Sequence, residues 1–476
     1  MFKFTPFLTL PQPDRKPLSQ LSRKVLSETI FSATQISATQ LSATQPNAIV
    51  QDFETFIEFL QLHKVEVSAN QQAIAPKYLA ELNSRLSHPV TIDFQRPSQK
   101  SYPYIHGLYL LLRGSAIAVV KLDKKKNILS IDPQVLTSWQ GLNAIEKYFN
   151  LLATWIYYSS EDIMDNDRRA LPEWYFVVSS WGTIAKENLN FTDNSTNNSP
   201  NNSKSNEWLN RLKLHNVALL NLFGFIELQD TEPLAGKGWR LTKAKASPFG
   251  KALMELLEKT DWKRGLFNEA EDDLFIEPQS EPRPGETKLN VVVQKSTPTE
   301  ILQEEFQALD LFPEWENNLE LPEPEAQDGI FIFKVSLPTY VQKSKDKFSK
   351  ETIWRKIAIP SHLTLYDFSS AILKAFDFDN DHLHQFTYKD RQGFVKTINH
   401  PYTQHGDGDG FTDEILLRAW QINVGDRITY VFDFGDWWEF NVVLESIDEP
   451  DPKLKKAKVI DQKGKAPKQY GDDDDE

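Results

Sequence analysis

Two polar tracts interrupt this chain of 476 residues, and they limit the folds open to it more than any other feature. The first, TDNSTNNSPNNSKSN at 192–206, is too poor in apolar residues to form a core. The second, at 276–299, is rich in proline and charge and has the composition of a linker. Because a single core rarely grows past about 250 residues, the sequence predicts a multi-domain protein.

Composition and periodicity divide the chain into six predicted segments. They are a flexible leader with three SATQ repeats (1–48), a mixed α/β N-terminal domain (49–190), an Asn/Ser linker (191–206), a winged-helix-like segment (207–275), a proline-rich acidic linker (276–327) and a C-terminal domain with a disordered acidic tail (328–476). In the N-terminal domain, the spacing of apolar residues predicts helices at 53–65 and 142–158. The apolar stretch 107–120 is predicted to form two strands around a turn.

The composition excludes several classes of protein. The chain has no cysteine, so it can form neither disulfides nor thiolate zinc sites. Its net charge of −14 argues against a surface that coats nucleic acid, because such a surface needs an excess of basic residues. The N-terminus lacks the pattern of a secretory signal, and the most apolar stretch is too short to span a bilayer. We therefore expect a cytoplasmic protein without membrane contact.

The winged-helix-like segment contains a group of basic residues. Two predicted helices are followed by a short strand, a basic loop and a third helix, an order that resembles the winged-helix layout. Lys237, Arg240, Lys243 and Lys245 could contact nucleic-acid phosphates there. The alternative is that these side chains are simply solvated and that the segment makes protein contacts.

The C-terminal domain is predicted to have an α+β fold, with a mainly antiparallel sheet packed on one main helix. Alternating apolar residues predict strands at 329–337, 353–360 and 382–390, followed by a hairpin at 427–447. The main helix is predicted to begin with a capping box formed by Thr364 and Asp367.

The hairpin sequence YVFDFGDWWEF at 430–440 combines carboxylates with aromatic rings. Gly435 and the aspartate after it are predicted to form a two-residue type II′ turn, in which the glycine supplies the positive φ. This register pairs Phe434 with Trp437 and Asp433 with Trp438, so that the carboxylate of Asp433 faces apolar neighbours.

A carboxylate among apolar side chains needs hydrogen-bond donors or a positive partner. Arginine and histidine side chains elsewhere in the domain could provide them, so the hairpin and these side chains together define a candidate cleft. Its predicted members are Asp433, Phe434, Gly435, Asp436, Trp437, Trp438, Arg355, His382 and His384.

Four motifs of this domain carry a resemblance to a known family. WRK at 354–356, HLHQF at 382–386, TDE at 412–414 and the hairpin at 430–440, in this order, resemble the plasmid pRiA4b Orf3-like family, which includes proteins carried by bacterial insertion elements. The resemblance covers about residues 328–471; it implies an α+β domain and assigns no activity. The family commonly has a histidine where this chain has Phe440, and a cysteine near the C-terminal pattern that GKAPKQYG (464–471) lacks. Both departures argue against a metal or catalytic role.

Three hypotheses about function follow. The leading one is a non-catalytic binding protein without a cofactor, whose aromatic and acidic hairpin forms a cleft for a protein or peptide partner. The second is a mobile-element-associated accessory protein that binds nucleic acid through residues 207–260. The third is a metal-dependent hydrolase that uses His382, His384 and Asp433, because His-x-His on a strand directs both imidazoles to one face. We favour a hydrogen-bonding role for these two histidines over a metal site, and we assign no catalytic residue.

Overall fold

The computed structural model describes residues 17–29, 48–69, 71–124, 126–164, 173–186, 188–191, 208–209, 211–261, 297–322, 325–344, 347–403 and 408–470. The α-helices in these residues are α1 (Gln20–Glu28), α2 (Ala48–Leu62), α3 (Leu79–Arg85), α4 (Pro103–Gly114), α5 (Pro133–Gly141), α6 (Ala144–Tyr157), α7 (Glu173–Lys186), α8 (Leu214–Leu222), α9 (Pro248–Lys259), α10 (Pro298–Gln307) and α11 (Leu365–Ala375). Across the described ranges, no helix has the length and apolarity needed to cross a membrane.

The strands form three antiparallel sheets, and the mixture of helices and sheets confirms the predicted α+β class. The strands are β1 (Val65–Val67), β2 (Ala118–Asp123), β3 (Lys126–Ile131), β4 (Leu189–Asn190), β5 (Ile226–Thr231), β6 (Arg240–Ala246), β7 (Ile330–Ser344), β8 (Lys347–Pro360), β9 (His384–Lys389), β10 (Val395–Asn399), β11 (Arg427–Phe432), β12 (Trp438–Asp448) and β13 (Lys458–Lys463). Two small sheets have the orders β1-β3-β2 and β4-β6-β5, and the large sheet has the order β10-β9-β11-β12-β7-β8-β13.

A continuous hydrophobic core contains side chains from Leu18 to Trp315. Helix α4 is buried along its whole length, and Gly107 on α4 lets Leu219 of α8 approach closely. The prediction of two strands around a turn at 107–120 is therefore wrong: α4 continues to Gly114, and only β2 begins within this stretch. An apolar run without polar alternation does not distinguish a buried helix from a buried strand, and Pro103 at the first turn favours the helix.

Part of the predicted flexible leader is folded. Helix α1 begins after the N-cap residue Ser19, whose side chain accepts a hydrogen bond from the backbone N–H of Ser22. Both serines also donate to the carboxylate of Glu255 on α9 (2.9 and 2.6 Å). The flexible-leader prediction is therefore wrong for residues 17–29, whereas the SATQ repeats lie outside the described residues.

The predicted basic loop of the middle segment is strand β6. Lys243 and Lys245 alternate with buried alanines on this strand and are exposed, as is Lys237 in the preceding connection, whereas Arg240 is half-buried. Helix α8, which precedes the β5–β6 hairpin, has seven buried residues among its nine. Its surface is therefore covered by the core of the same chain and is not free to enter a nucleic-acid groove.

The large sheet packs one face against α11, as predicted for the C-terminal domain. Phe331, Phe333 and Val335 of β7 are buried in this core together with Phe368 and Ile372 of the helix. The capping box is confirmed, since Thr364 and the third residue of the helix, Asp367, exchange hydrogen bonds with each other's backbone N–H. The edge strands β10 and β13 were not predicted from the sequence.

The hairpin formed by β9 and β10 joins the large sheet to the N-terminal half of the chain. The Lys389 ammonium group donates to the Ile163 carbonyl (2.8 Å), and the Gln392 amide donates to the Gly114 carbonyl (2.6 Å). Carbonyls at helix ends lack partners within the helix, so these side chains satisfy groups that would otherwise need water. Arg391 adds an ion pair with Asp132, the N-cap residue of α5.

Candidate functional site

The aromatic hairpin has a different register from the predicted one. Phe432 pairs with Trp438 and Tyr430 pairs with Phe440, so the turn is a five-residue loop at 433–437. Positive φ angles occur at Asp433 (56°) and Trp437 (55°), and not at Gly435. The predicted type II′ turn is therefore wrong. A one-residue change of register exchanges the two faces of a strand.

Hydrogen bonds from its own backbone hold this loop. The Asp433 carboxylate accepts from the N–H groups of Gly435 (2.9 Å) and Asp436 (3.4 Å), and the Trp437 N–H donates to the Asp433 carbonyl (2.7 Å). The predicted need of Asp433 for donors is met mainly by the loop itself. Phe434 is left 38% exposed and Trp437 52% exposed.

A shallow groove of about 330 Å³ lies beside the exposed ring of Trp437. It is lined by Leu337, Pro338, Asp436, Trp437, Trp438 and Glu439. The ladder between β7 and β12 ends at Ser336 and Asn441, whereas β7 continues to Ser344 in its pairing with β8. The groove is therefore the notch in which β7 separates from the end of the aromatic hairpin.

The two histidines of the HLHQF motif lie in different environments. His382 is partly exposed, and its Nε2 lies 3.5 Å from Asp433 Oδ2. His384 is fully buried: its Nδ1 lies 3.1 Å from Ser369 Oγ, and its Nε2 lies 3.0 Å from Thr412 Oγ1. Burial lowers the pKa of His384 to about 3, with a smaller contribution from His400. Both nitrogens of His384 thus face hydroxyl groups, and His384 does not point to His382 and Asp433 as the third hypothesis, a metal site, requires.

Arg355 supports the fold of the domain, and Trp438 packs against the core as well as lining the groove. The Arg355 guanidinium donates to the carbonyls of Ala375 (2.8 Å), Lys463 (3.1 Å) and Gly464 (3.1 Å), so it fixes the end of α11 against β13. Trp438 is half-buried and packs edge-on against Phe378. Of the two adjacent tryptophans, Trp437 is the one available to a partner.

A second polar cluster, which was not predicted from the sequence, lies in the N-terminal half. Among the residues that the structure describes, His106, Glu161 and His215 have donor atoms within 4.8 Å of one another, the spacing of metal ligands. His106 lies on α4, Glu161 in a single 3₁₀ turn and His215 on α8, while the neighbouring Glu173 begins α7. Because these residues are far apart in sequence and form no local motif, no pattern in the chain indicates the cluster.

Lysine side chains neutralise the carboxylates of this cluster. Lys213 Nζ donates to Glu161 (2.7 Å) and to Glu173 (3.0 Å), and Lys100 Nζ lies 2.7 Å from Glu161. Burial alone would raise the pKa of Glu173, but His215 and Lys213 outweigh it and hold that pKa at about 2. Burial likewise opposes the ionisation of Glu161, but hydrogen bonds from His106 and the two lysines hold its pKa well below the usual range.

The hydrogen bonds of His106 fix its tautomer. Gln99 accepts the N–H of Ile74 through Oε1 (2.7 Å), so its amide nitrogen, 3.0 Å from His106 Nδ1, is the donor to the imidazole. His106 Nε2 then carries the proton and donates to Glu161 (2.9 Å). Burial lowers the pKa of His106 to about 4, which keeps the imidazole neutral. A metal at Nε2 would displace this proton and would compete with two ammonium groups, so the arrangement fits an internal ion-pair network better than a metal centre.

Comparison with known proteins identifies the C-terminal part of the chain. Residues 343–471 match the family model described as plasmid pRiA4b ORF-3-like protein. This segment is a pRiA4b ORF-3-like domain. The match confirms the resemblance carried by the four motifs, and the sheet extends beyond it, since β7 begins at Ile330.

The other comparisons add little to this assignment. Among solved structures, a protein of unknown function from Methanosarcina mazei is similar at 22% identity, over 28% of this chain and 70% of its own, with a TM-score of 0.24. No curated protein matches the chain.

Proposed function

We propose that this chain is a binding protein whose pRiA4b ORF-3-like domain receives a peptide segment of a partner in the groove beside Trp437. The observation that supports this most is the conformation of Trp437, which is half exposed and has a positive φ. Left-handed backbone at a bulky residue costs roughly 1–3 kcal/mol, and such strain is concentrated at functional sites. Tryptophan is also one of the residue types enriched among the few that carry most of the binding energy of protein interfaces.

The catalytic and metal alternatives have less support. Ser369 and His384 lie within hydrogen-bond distance, as in an activated nucleophile, but both are fully buried and the Ser369 hydroxyl is also 2.7 Å from Tyr430. Nucleic-acid binding through 207–260 would rely on exposed basic side chains such as those of Lys237, Lys243 and Lys245, since α8 is covered. A gel-shift series at increasing salt tests that role, and we expect no shift above about 0.15 M salt.

Selection from a random peptide library displayed on phage tests the binding proposal. The full chain is the target, and the Trp437→Ala variant is compared with Tyr402→Ala, which removes an aromatic ring that is 81% exposed in the same domain but outside the groove. We expect enriched peptides that bind the parent and the Tyr402→Ala variant, with at least about tenfold weaker binding to Trp437→Ala. Absence of enrichment, or equal loss in both variants, would contradict the proposal.

A further inference from the structure

The groove beside Trp437 lies in a negatively charged part of the domain. Asp436 and Glu439 line it and are exposed, and Asp433 begins the same loop. A ligand that carries positive charge is therefore favoured at this surface.

The exposed ring of Trp437 adds a second preference for a cation. The cationic group of an arginine or lysine side chain is attracted to the face of a tryptophan ring by the quadrupole of the ring. Trp437 and the carboxylates of Asp436 and Glu439 line one groove, so a single basic side chain can meet both. The floor of the groove, with Leu337 and Pro338, accommodates an apolar neighbour of that side chain.

Pro338 disfavours one of two modes of peptide binding, which are backbone pairing with a strand edge and recognition through side chains. An extended peptide can add a strand to a free sheet edge, and β7 continues past the end of its ladder with β12. Proline has no N–H to donate, and its presence on an edge strand blocks such pairing. Recognition in this groove therefore depends on the side chains of the partner and not on its backbone.

Resting on the proposed function, we infer that the occupant is an extended peptide segment that presents an arginine or lysine next to an apolar residue. The basic side chain stacks on Trp437 and pairs with Asp436 and Glu439, and the apolar residue lies against Leu337 and Pro338. The net charge of −14 on the whole chain also favours encounter with a basic partner.

Fluorine NMR of the full chain labelled with 5-fluorotryptophan tests this inference. The chain has twelve tryptophans, and the Trp437→Phe variant assigns the resonance of Trp437. The probes are blocked heptapeptides with a leucine on each side of a central arginine, lysine or citrulline; citrulline has nearly the shape of arginine but no charge. We expect the arginine and lysine peptides to shift the Trp437 resonance, with about fivefold or greater preference over citrulline and weaker binding as salt rises.

A double variant provides the matched control. Asp436→Asn with Glu439→Gln keeps the shape of the groove and removes its charge. The double variant should therefore bind the arginine peptide about fivefold more weakly than the parent and bind the citrulline peptide equally well. Equal affinity for arginine and citrulline peptides in the parent overturns the inference about charge while leaving the binding proposal intact. If neither these heptapeptides nor the peptides enriched by phage display shift the Trp437 resonance, the proposed function itself fails.

Discussion

His106 and His384 are both buried, but they differ in the groups to which they are bonded. The imidazole of His106 donates to Glu161, whose carboxylate also binds two partly exposed lysines, so its network reaches solvent. The imidazole of His384 lies between the hydroxyls of Ser369 and Thr412, and all three residues are fully buried. Residue type alone would make both histidines functional candidates, whereas their surroundings make one a member of an ion-pair network and the other part of a closed core.

The largest expected effect comes from removing the closed histidine. His384→Ala leaves a cavity and removes one hydrogen-bond partner from each of two buried hydroxyls, so it should lower the free energy of unfolding by about 4 kcal/mol in urea titrations. His382→Ala is the control: its side chain is 44% exposed, and we expect a loss of about 0.5 kcal/mol. If the two substitutions cost the same, the assignment of His384 to a closed core is wrong.

Acid should destabilise the protein because the folded state keeps both His384 and His106 neutral. The folded state holds His384 at a pKa of about 3 and His106 at a pKa of about 4, so between pH 6.5 and pH 4 the unfolded chain binds more protons than the folded one. The free energy of unfolding therefore falls as pH decreases through this window. The buried Asp52 acts in the opposite direction, since burial raises its pKa to about 6 and its protonation stabilises the folded state.

Between pH 6.5 and pH 4.5 we expect the free energy of unfolding to fall by about 3 kcal/mol in total. Chemical denaturation at closely spaced pH values measures this change. His384→Gln removes one titrating group and should make the profile less steep, although the variant is less stable throughout. A flat profile over this range would show that the two imidazoles are not held neutral by burial.

Features that depend on local patterns could be predicted from the sequence, whereas features that depend on backbone conformation or tertiary packing could not. Alternation identified the main strands, and the Thr364–Asp367 spacing identified the start of α11, because local patterns determine both. The register of the aromatic hairpin was missed, since it depends on left-handed backbone at Asp433, which aspartate adopts only occasionally, and at Trp437, which a bulky residue disfavours.

The residues of the two candidate sites also differ in whether the sequence or only the tertiary structure brings them together. The YVFDFGDWWEF sequence contains four of the six residues that line the groove, but it could not show which tryptophan is exposed or that Leu337 and Pro338 complete the lining. The cluster around His106 brings together residues of four separate elements, and only tertiary packing creates it. Separate linker-bounded cores were a reasonable expectation from the polar tracts, yet apolar side chains from both sides of the first tract share one core. The domain boundaries stay predictions.

The smallest expected effect is that of zinc on the cluster around His106. A ligand present at a hundredfold excess over its dissociation constant stabilises the folded state by about 2.7 kcal/mol, which raises the melting temperature by several degrees. We expect 0.1 mM zinc to change the melting temperature by less than about 1 °C. Lys100 and Lys213 already neutralise Glu161. A metal at His106 Nε2 would also force a proton onto Nδ1, where it would face the Gln99 amide hydrogens. The His106→Ala variant controls for zinc bound elsewhere. A rise of several degrees in the parent that is lost in this variant would make the cluster a metal site, and the ion-pair interpretation of its charges would have to be abandoned.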